Sequence, residues 1–232
     1  MNNNQSEHPI LYSLQHCPYA IRARIGIYLA KQPVMLRAIN MKNKPEHMLQ
    51  ASPKATVPVL ILPVIMLDET LKQENSVVDE SLDIMLWALS KTDPQNLLYS
   101  HDKTALNKML TLITLNDKQF KPVLEKYKFA KRKHEVSEIY YRQLCEVFIQ
   151  QFENTLKKQP YFMGETPSLA DYALLPFIRQ FARVDKAWYR TSPYVNVKRW
   201  LDEHLQQPFF TKVMAKYPLW LDCGEAFLYG EK

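Results

Sequence analysis

Glycine is scarce in this 232-residue sequence, which has 4 Gly against 15 Pro. Phosphate loops of nucleotide-binding proteins need closely spaced glycines, as in G-x-G-x-x-G or in Gly-Lys followed by Ser or Thr. The glycines are Gly26, Gly164, Gly224 and Gly230, and they form neither pattern. The sequence therefore predicts no Rossmann or Walker phosphate loop, and it excludes a collagen-like chain.

Cysteine and long apolar runs are also scarce. Cys17, Cys145 and Cys223 are far apart, and neither C-x-x-C nor a zinc-type Cys/His spacing occurs. We therefore expect no disulfide framework and no metal site. The first ten residues lack the basic and apolar parts of a signal peptide, and no stretch of ~18 apolar residues occurs. We expect a reduced, cytoplasmic protein without a membrane partner.

Positive charge exceeds negative charge, with 30 Lys and Arg against 24 Asp and Glu, a net charge of +6. Residues 1–90 carry 8 of each sign, so the whole excess lies in residues 91–232. Residues 118–133 hold seven basic residues and one acid, Glu125. Such a run attracts anions such as nucleic acid. Because the run matches no known RNA-binding motif, we interpret it as a solvated helix end and loop and expect no nucleic-acid partner.

The spacing of apolar residues changes near residue 90. Before it, short β-rich runs alternate with helical patterns, which predicts an α/β layer with a mixed sheet. The predicted strands cover residues 10–14, 34–39, 57–62 and 77–78, and the predicted helices begin at Pro18, Pro45 and Ser81. After Asp93-Pro94 the pattern is helical throughout, which predicts helices that include 169–184, 195–205 and 209–215. We therefore predict a domain boundary near residues 90–96.

Cys17 carries the strongest chemical signal. It follows a predicted strand and directly precedes Pro18, at the start of a predicted helix. The unpaired N–H groups and the positive dipole end of a helix start favour thiolate over thiol. An isolated free cysteine is more often a small buried apolar residue. Here a Cys-Pro step lies between a predicted strand and a predicted helix, and this order favours the interpretation of Cys17 as a reactive thiol.

Two further features could form a ligand site. Pro58 begins a predicted strand, and a cis Val57–Pro58 bond would expose the backbone of Val57, although trans is the common state. The sequence Asp79-Glu80-Ser81 opens a predicted helix, which is explained by helix capping alone. It could equally bind an α-amino-acid group, with Ser81 and the helix N–H groups on the carboxylate and Glu80 on the ammonium.

These motifs occur together in the order typical of one family. They are Tyr12–Ala20 (YSLQHCPYA), Lys42–Glu46 (KNKPE), Thr56–Leu60 (TVPVL), Asp79–Ser81 (DES) and Gly164–Asp171 (GETPSLAD). Over nearly its whole length the chain resembles the glutathione transferases, and most closely the cysteine-type, omega-like thiol transferases. The resemblance implies a thioredoxin-like domain with a mixed four-stranded sheet over residues 8–90. It also implies an all-α domain over residues 96–232 and a homodimer.

The resemblance further implies a glutathione site, with glutathione as co-substrate. Cys17 would be the active thiol, and Val57, presented by a cis Pro58, would pair with the cysteinyl part of glutathione. The other implied binding residues are Glu80 and Ser81 for the γ-glutamyl end, Lys44 for the glycyl carboxylate and Tyr19 beside the thiol. The implied activity is thiol transfer from glutathione mixed disulfides, or conjugation of glutathione to electrophiles. The acceptor would be an unidentified small molecule or protein.

Several alternatives stay open at this point. Tyr12 or Ser13 could supply a hydroxyl that activates glutathione for conjugation. The chain could also be a non-enzymatic binding or regulatory member of the same fold. The aromatic residues Phe120, Tyr127, Phe129 and Trp188 could line an acceptor pocket, although a core or surface position is more common for each.

Three local details complete the expectations. Ala20 stands where dithiol glutaredoxins carry a second cysteine, so an internal disulfide mechanism is excluded at this position. The stretch 64–76 is longer than the turn usual in the family. Ser168 and Asp171 have the spacing of a capping box at a helix start, and Cys145 lies on an apolar helical stripe that predicts a core position.

Overall fold

The computed structural model describes residues 8–63 and 76–231. The chain divides into two compact units, one of residues up to 95 together with residues from 209 onwards, and the other of residues 96–208. The predicted domains, 8–90 and 96–232, differ from this division because they assign the C-terminal segment to the helical part. The predicted long stretch 64–76 lies outside the described residues except for Ser76. No helix in the described part of the chain is both long enough and apolar enough to span a bilayer.

The first unit has the predicted alternation of strands and helices. Its elements before residue 95 are β1 (Ile10–Ser13), α1 (Pro18–Leu29), β2 (Val34–Ala38), α2 (Glu46–Ala51), β3 (Val59–Ile61), β4 (Val77–Val78) and α3 (Ser81–Lys91). Apolar residues of β1, such as Leu11, are fully buried, as are Ile25 of α1 and Ile84 of α3. The α/β fold class predicted from the spacing of apolar residues is therefore confirmed.

The sheet of the first unit is mixed but has five strands, in the order β4-β3-β1-β2-β5. β1 runs parallel to β2 and antiparallel to β3. The fifth strand, β5 (Phe227–Tyr229), pairs antiparallel with β2, so that Val34 lies opposite Tyr229. The predicted four-stranded sheet is wrong in this respect. β5 covers the β2 edge, whose backbone groups would otherwise lack partners.

The second unit is helical in its described elements. These are α4 (Ala105–Leu115), a π-helical turn (Asn116–Phe120), α5 (Lys121–Lys133), α6 (Glu138–Leu156), α7 (Leu169–Val184), α8 (Lys186–Thr191) and α9 (Val195–Gln206). α10 (Pro208–Val213) and α11 (Trp220–Cys223) lie between this unit and β5 in the chain. The all-α prediction for residues 96–232 therefore describes residues 96–208 well and fails at β5.

The predicted capping box at the start of α7 is confirmed. The backbone N–H of Ser168 donates to the carboxylate of Asp171 at 2.9 Å, and the reciprocal bond to the Ser168 side chain is also present. Asp171 is fully buried, and its other oxygen accepts from the N–H of Phe162 and from Nε1 of Trp200, at 3.0 and 2.8 Å. One carboxylate therefore joins the start of α7 to α9 and to the preceding loop.

Candidate active site

Cys17 occupies the N-cap position of α1, with extended backbone angles of φ −71° and ψ 124°. Pro18 begins the helix, and no side chain caps it. The Cys17 side chain is half-buried, and its Sγ lies 4.0 Å from the carbonyl oxygen of Val57. The predicted thiol thus lies at a helix start, where the dipole favours a negative charge.

Val57 reaches Cys17 from the segment that precedes β3. The Val57–Pro58 peptide bond is cis, as the resemblance implies. Val57 is 8% exposed and packs in one apolar cluster with Tyr12 and Met48, and Cys17 contacts this cluster. Cys17 and Val57, 40 residues apart in the sequence, are therefore neighbours in the first unit.

The residues predicted to form an amino-acid receptor lie at the start of α3. Glu80 is its N-cap residue and Ser81 its first helical residue. Ser81 is buried, and its Oγ accepts a hydrogen bond of 3.4 Å from Nη1 of Arg22. Because Arg22 lies one turn after Cys17 in α1, this bond connects the helix that begins at the thiol to the helix that begins at Ser81.

The acidic residues before α3 have partners that sequence reasoning missed. Lys54 Nζ lies 2.7 Å from Glu80 Oε1 and 2.9 Å from Asp79 Oδ1. These hydrogen bonds raise the pKa of Lys54. Ser52 Oγ donates to Asp79 at 2.7 Å, and this bond is the main cause that lowers the pKa of the Asp79 carboxyl. The one sequence feature that could have indicated this ion pair is Lys54 itself, a basic residue just before the motif that contains Pro58.

Of the two other predicted binding residues, Tyr19 contacts Arg22, and Lys44 lies at the start of α2. The Tyr19 ring centroid lies 5.7 Å from the Arg22 guanidinium carbon, so Tyr19 belongs to the same group of side chains. Lys44 is half-buried and directly precedes Pro45, the N-cap residue of α2. Within the described ranges, no hydrogen bond or ion pair joins Lys44 to Cys17.

Both halves of the chain match known protein domains. Residues 11–96 match the domain described as "Glutathione S-transferase, N-terminal domain", and residues 122–208 match "Glutathione S-transferase, C-terminal domain". The chain belongs to the glutathione S-transferase family.

Relatives of this glutathione S-transferase include mouse glutathione S-transferase omega-1, which is 27% identical over 205 residues. The match covers 85% of this chain and 77% of the mouse protein. The pyrimidodiazepine synthase of Drosophila melanogaster is 25% identical over 221 residues, which cover 89% of this chain and 79% of that protein.

Solved structures have the same fold at lower identity. A glutathione transferase family member from Pseudomonas fluorescens pf-5, with two glutathione bound, has a TM-score of 0.75 at 19% identity. The match covers 90% of this chain and 92% of that one. Glutathione transferase Omega 2C from Trametes versicolor has a TM-score of 0.71 at 20% identity, over 91% of this chain and 94% of its own.

In this glutathione S-transferase, the hydroxyls of Tyr12 and Ser13 already have partners. Tyr12 is fully buried, and its hydroxyl accepts a bond from Nη1 of Arg37 at 2.8 Å and lies 3.0 Å from Nδ1 of His47. Ser13 is also buried, and its Oγ accepts from Nη1 of Arg24. These bonds tie both hydroxyls to the frame of the first unit.

The other cysteines of this transferase have different surroundings from Cys17. Cys145 is fully buried in α6, and burial raises the pKa of its thiol to about 12. Its predicted core position is therefore confirmed. Cys223 is exposed on α11. Among the residues that the structure describes, no cluster of three or more His, Cys, Asp or Glu is arranged to hold a metal.

Three of the seven basic residues at positions 118–133 of this transferase form ion pairs within their own unit. Lys121 and Lys128 both form ion pairs with Glu125. Lys131 Nζ lies 2.6 Å from Asp185 and 2.9 Å from Glu138. These contacts join neighbouring turns and helices of the second unit.

Of the four aromatic residues considered for an acceptor pocket, three pack against the ring of Phe181, namely Phe120, Tyr127 and Trp188, and Phe129 is exposed. Phe120 and Tyr127 are fully buried and pack against Phe181, with ring centroids 6.1 and 6.0 Å apart. Trp188 is half-buried beneath the guanidinium of Arg142, and Phe129 is 55% exposed. The first two therefore belong to the core of the helical unit.

A cavity of about 490 Å³ lies in the first unit, beside the loop that precedes Cys17. The C-terminal segment forms one wall, and the ends of β1 and β2 form the other. Its lining includes Leu14, His16, Leu36, Ile39, Tyr217 and Leu219. The volume and the mostly apolar side chains are typical of a small-molecule pocket, and nothing in the sequence pattern indicated it.

Proposed function

We propose that this chain is a glutathione-dependent thiol transferase in which Cys17 is the nucleophile. The observation that carries the proposal is the position of Cys17 Sγ at the start of α1, 4.0 Å from the carbonyl oxygen of Val57. A helix start favours the thiolate, which is the form that attacks a disulfide. A backbone carbonyl beside the sulfur could accept a hydrogen bond from the cysteinyl N–H of a bound glutathione.

The proposed reaction consists of two thiol–disulfide exchanges. The Cys17 thiolate attacks the glutathione sulfur of a mixed disulfide between glutathione and a substrate. A Cys17–glutathione disulfide forms, and the substrate leaves as a thiolate, which takes a proton from water. A second glutathione, as its thiolate, then attacks the glutathione sulfur bound to Cys17. Oxidised glutathione leaves, and the Cys17 thiolate is regenerated.

The start of α3 supports binding of the γ-glutamyl end of glutathione. Ser81 offers a hydroxyl at a helix start, where a carboxylate is favoured. Glu80 would bind the ammonium group, and Lys54, 2.7 Å from Glu80, would orient its carboxylate. Tyr19 would flank the sulfur, and Lys44 would meet the glycyl carboxylate. Two of the structurally similar transferases have glutathione bound, which supports glutathione as the co-substrate.

The surroundings of Tyr12 and Ser13 support thiol transfer over hydroxyl-activated conjugation. Tyr12 is fully buried and Ser13 is 2% exposed, and Arg37 and Arg24 hold their hydroxyl oxygens within the first unit, so neither hydroxyl is open to a glutathione sulfur. The substrate that carries the glutathione would be a small molecule or a protein whose mixed disulfide reaches Cys17 Sγ. We also propose that the protein is a cytoplasmic homodimer, which light scattering can check for the oligomeric state.

The proposal is tested by thiol transfer from a glutathionylated peptide, in the presence of reduced glutathione. Cys17→Ala is expected to abolish transfer, and mass spectrometry of the parent protein is expected to find one glutathione on Cys17. Cys223→Ala is the matched control, because its thiol is exposed and lies outside the proposed site. Full activity of Cys17→Ala, or an adduct on Cys223 alone, would show that the mechanism is wrong.

A further inference from the structure

Arg24 lies in the middle of α1, two turns after Cys17, and is 2% exposed. Its guanidinium donates four hydrogen bonds, all to uncharged oxygens. They run to Ser13 Oγ, to the carbonyls of Leu14 at 3.1 Å and Gln15 at 2.7 Å, and to the carbonyl of Val213 at 2.9 Å. The side chain thus contacts two separate parts of the first unit.

The first of these parts is the loop that leads into Cys17. Three consecutive residues, 13–15, accept bonds from Arg24, and Cys17 follows two residues later. The planar guanidinium presents its donors in a rigid fork, so several bonds to one loop restrict that loop more than a flexible ammonium would. Arg24 therefore holds the loop from its buried side.

The second part is the C-terminal segment. Besides the bond from Arg24 to Val213, Gln15 Nε2 donates to the carbonyl of Met214 at 3.2 Å. Tyr229 of β5 donates its hydroxyl to the carbonyl of Arg24 at 2.9 Å. The loop before Cys17, the α1 helix and the C-terminal segment therefore share one buried anchor.

The charge of Arg24 has few possible counter-charges. Burial lowers the pKa of Arg24, and the ionisable groups that act on it include Tyr229, Cys17 and Tyr217. Burial also raises the pKa of both tyrosines, so they remain neutral phenols near neutral pH. Asp222 and Lys216 line the same cavity as Arg24. All four hydrogen bonds of Arg24 nevertheless end on neutral oxygens, and among the described residues no ion pair joins it to a carboxylate. A thiol ionises more readily than a phenol, and Cys17 lies at the start of the same helix as Arg24.

Other ionisable side chains near Cys17 are committed elsewhere or exposed. Arg22 bonds to Ser81, and Tyr12 is bound by Arg37 of β2 and His47 of α2. The side chain of His16 is exposed. A buried charge without a counter-ion is costly, and it is less so when an opposite charge forms nearby.

We propose that Arg24 is a positioning residue for the Cys17 thiol: its fork fixes the loop of residues 13–15, and its buried charge stabilises the Cys17 thiolate. The inference rests on the proposed nucleophilic role of Cys17. The inference also includes the C-terminal segment, because the carbonyl of Val213 accepts a hydrogen bond from Arg24 and so helps to hold it in place.

The test measures the rate of Cys17 alkylation by iodoacetamide as a function of pH, without glutathione. Peptide mass spectrometry separates Cys17 from the other two cysteines. Arg24→Gln removes the charge but keeps hydrogen-bond donors, and we expect its alkylation midpoint to rise by about one pH unit. Arg24→Lys keeps the charge but loses the fork. We expect it to keep the parent midpoint while the KM for a glutathionylated peptide rises severalfold.

The control is Arg179→Gln, an arginine of the second unit whose pKa burial also lowers. It is expected to leave the alkylation midpoint unchanged. Circular dichroism and the thermal midpoint identify any variant that does not fold, and Arg24→Lys then carries the test alone. The inference would be overturned if folded Arg24→Gln had the same alkylation midpoint as the parent protein. It would also be overturned if the alkylation midpoint of Arg24→Lys rose by the full pH unit expected for Arg24→Gln. Because alkylation needs no glutathione, a failure of thiol transfer would leave this result intact and contradict only the proposed function.

Discussion

Nη1 of Arg22 lies 3.4 Å from Oγ of Ser81, across 59 residues of sequence. Arg22 belongs to the helix that begins after Cys17, and Ser81 begins the helix that would bind the γ-glutamyl end of glutathione. The bond connects the helices α1 and α3 near their N-terminal ends, and each of these ends carries the positive end of a helix dipole. A ligand that spans them would present its sulfur to one and its carboxylate to the other.

Ser81→Ala is expected to raise the KM for glutathione about tenfold, because a hydrogen bond to a charged carboxylate contributes roughly 1.5–3 kcal/mol. The kcat is expected to change less than about twofold, since the reacting sulfur is elsewhere. Steady-state kinetics with varied glutathione measure both values. The matched control is Ser90→Ala, an exposed serine of the same helix. Equal KM values for the two variants would remove Ser81 from the proposed binding site.

Asp171→Ala is expected to lower the free energy of unfolding by about 3 kcal/mol. The change removes the acceptor of several buried hydrogen bonds at once, including those from Ser168 and Trp200. Urea denaturation followed by tryptophan fluorescence measures the effect. Asp202→Ala, at an exposed position of α9, is expected to change stability by less than about 0.5 kcal/mol. A mild effect of Asp171→Ala would mean that the capping box contributes little.

Trp220→Ala is expected to destabilise the protein by about 1–2 kcal/mol. The guanidinium carbon of Arg37 lies 3.9 Å from the Trp220 ring centroid, and the indole packs against the apolar cluster that also contacts Cys17. Thermal denaturation measures the loss. Leu221→Ala is the control, because the neighbouring side chain is 47% exposed. Similar shifts for both variants would show that the ring stacking has no specific contribution.

The Asp79 carboxyl gives a pH-dependent prediction. Its pKa is lowered in the folded state, chiefly by the hydrogen bond from Ser52. Its contribution to stability is therefore present above the unfolded pKa of about 3.9 and is lost as the pH falls through the lower folded value. We expect Asp79→Asn to cost about 1 kcal/mol or less at neutral pH, because the Lys54 partner is half exposed.

This difference is expected to shrink below about pH 4. Urea denaturation of the parent and of Asp79→Asn at neutral pH and at about pH 3 measures it. Asp202→Asn serves as the exposed control. A stability difference that grows on acidification would contradict the assigned direction of the shift.

Local patterns accounted for much of the fold. The apolar spacing predicted β1, α1 and α3 because each buries one face on its neighbours, and burial imposes a period that the sequence shows. The capping box at Ser168 and Asp171 was equally readable, since both partners lie within one helical turn. The helix start at Cys17 belongs to the same class, because the Cys-Pro step and the preceding strand are adjacent in the chain.

Contacts between distant segments were not readable in this way. β5 has only three residues, and its pairing with β2 depends on a register between residues nearly 200 positions apart. Lys54 meets Glu80, and Arg24 meets Val213, through side chains whose partners are chosen by how the helices and strands pack. A single sequence contains no period or spacing for such pairs.

The same division holds for the site. Short-range sequence indicates which residue types carry the chemistry, because helix starts are formed by neighbouring residues. These are a thiol at the start of one helix and a Glu-Ser pair at the start of another. That the thiol meets the Val57 carbonyl, that the serine is held by Arg22, and that the C-terminal segment supports the loop before the thiol follow only from packing. Long-range contacts are formed when the whole hydrophobic core is buried, and no local segment specifies them.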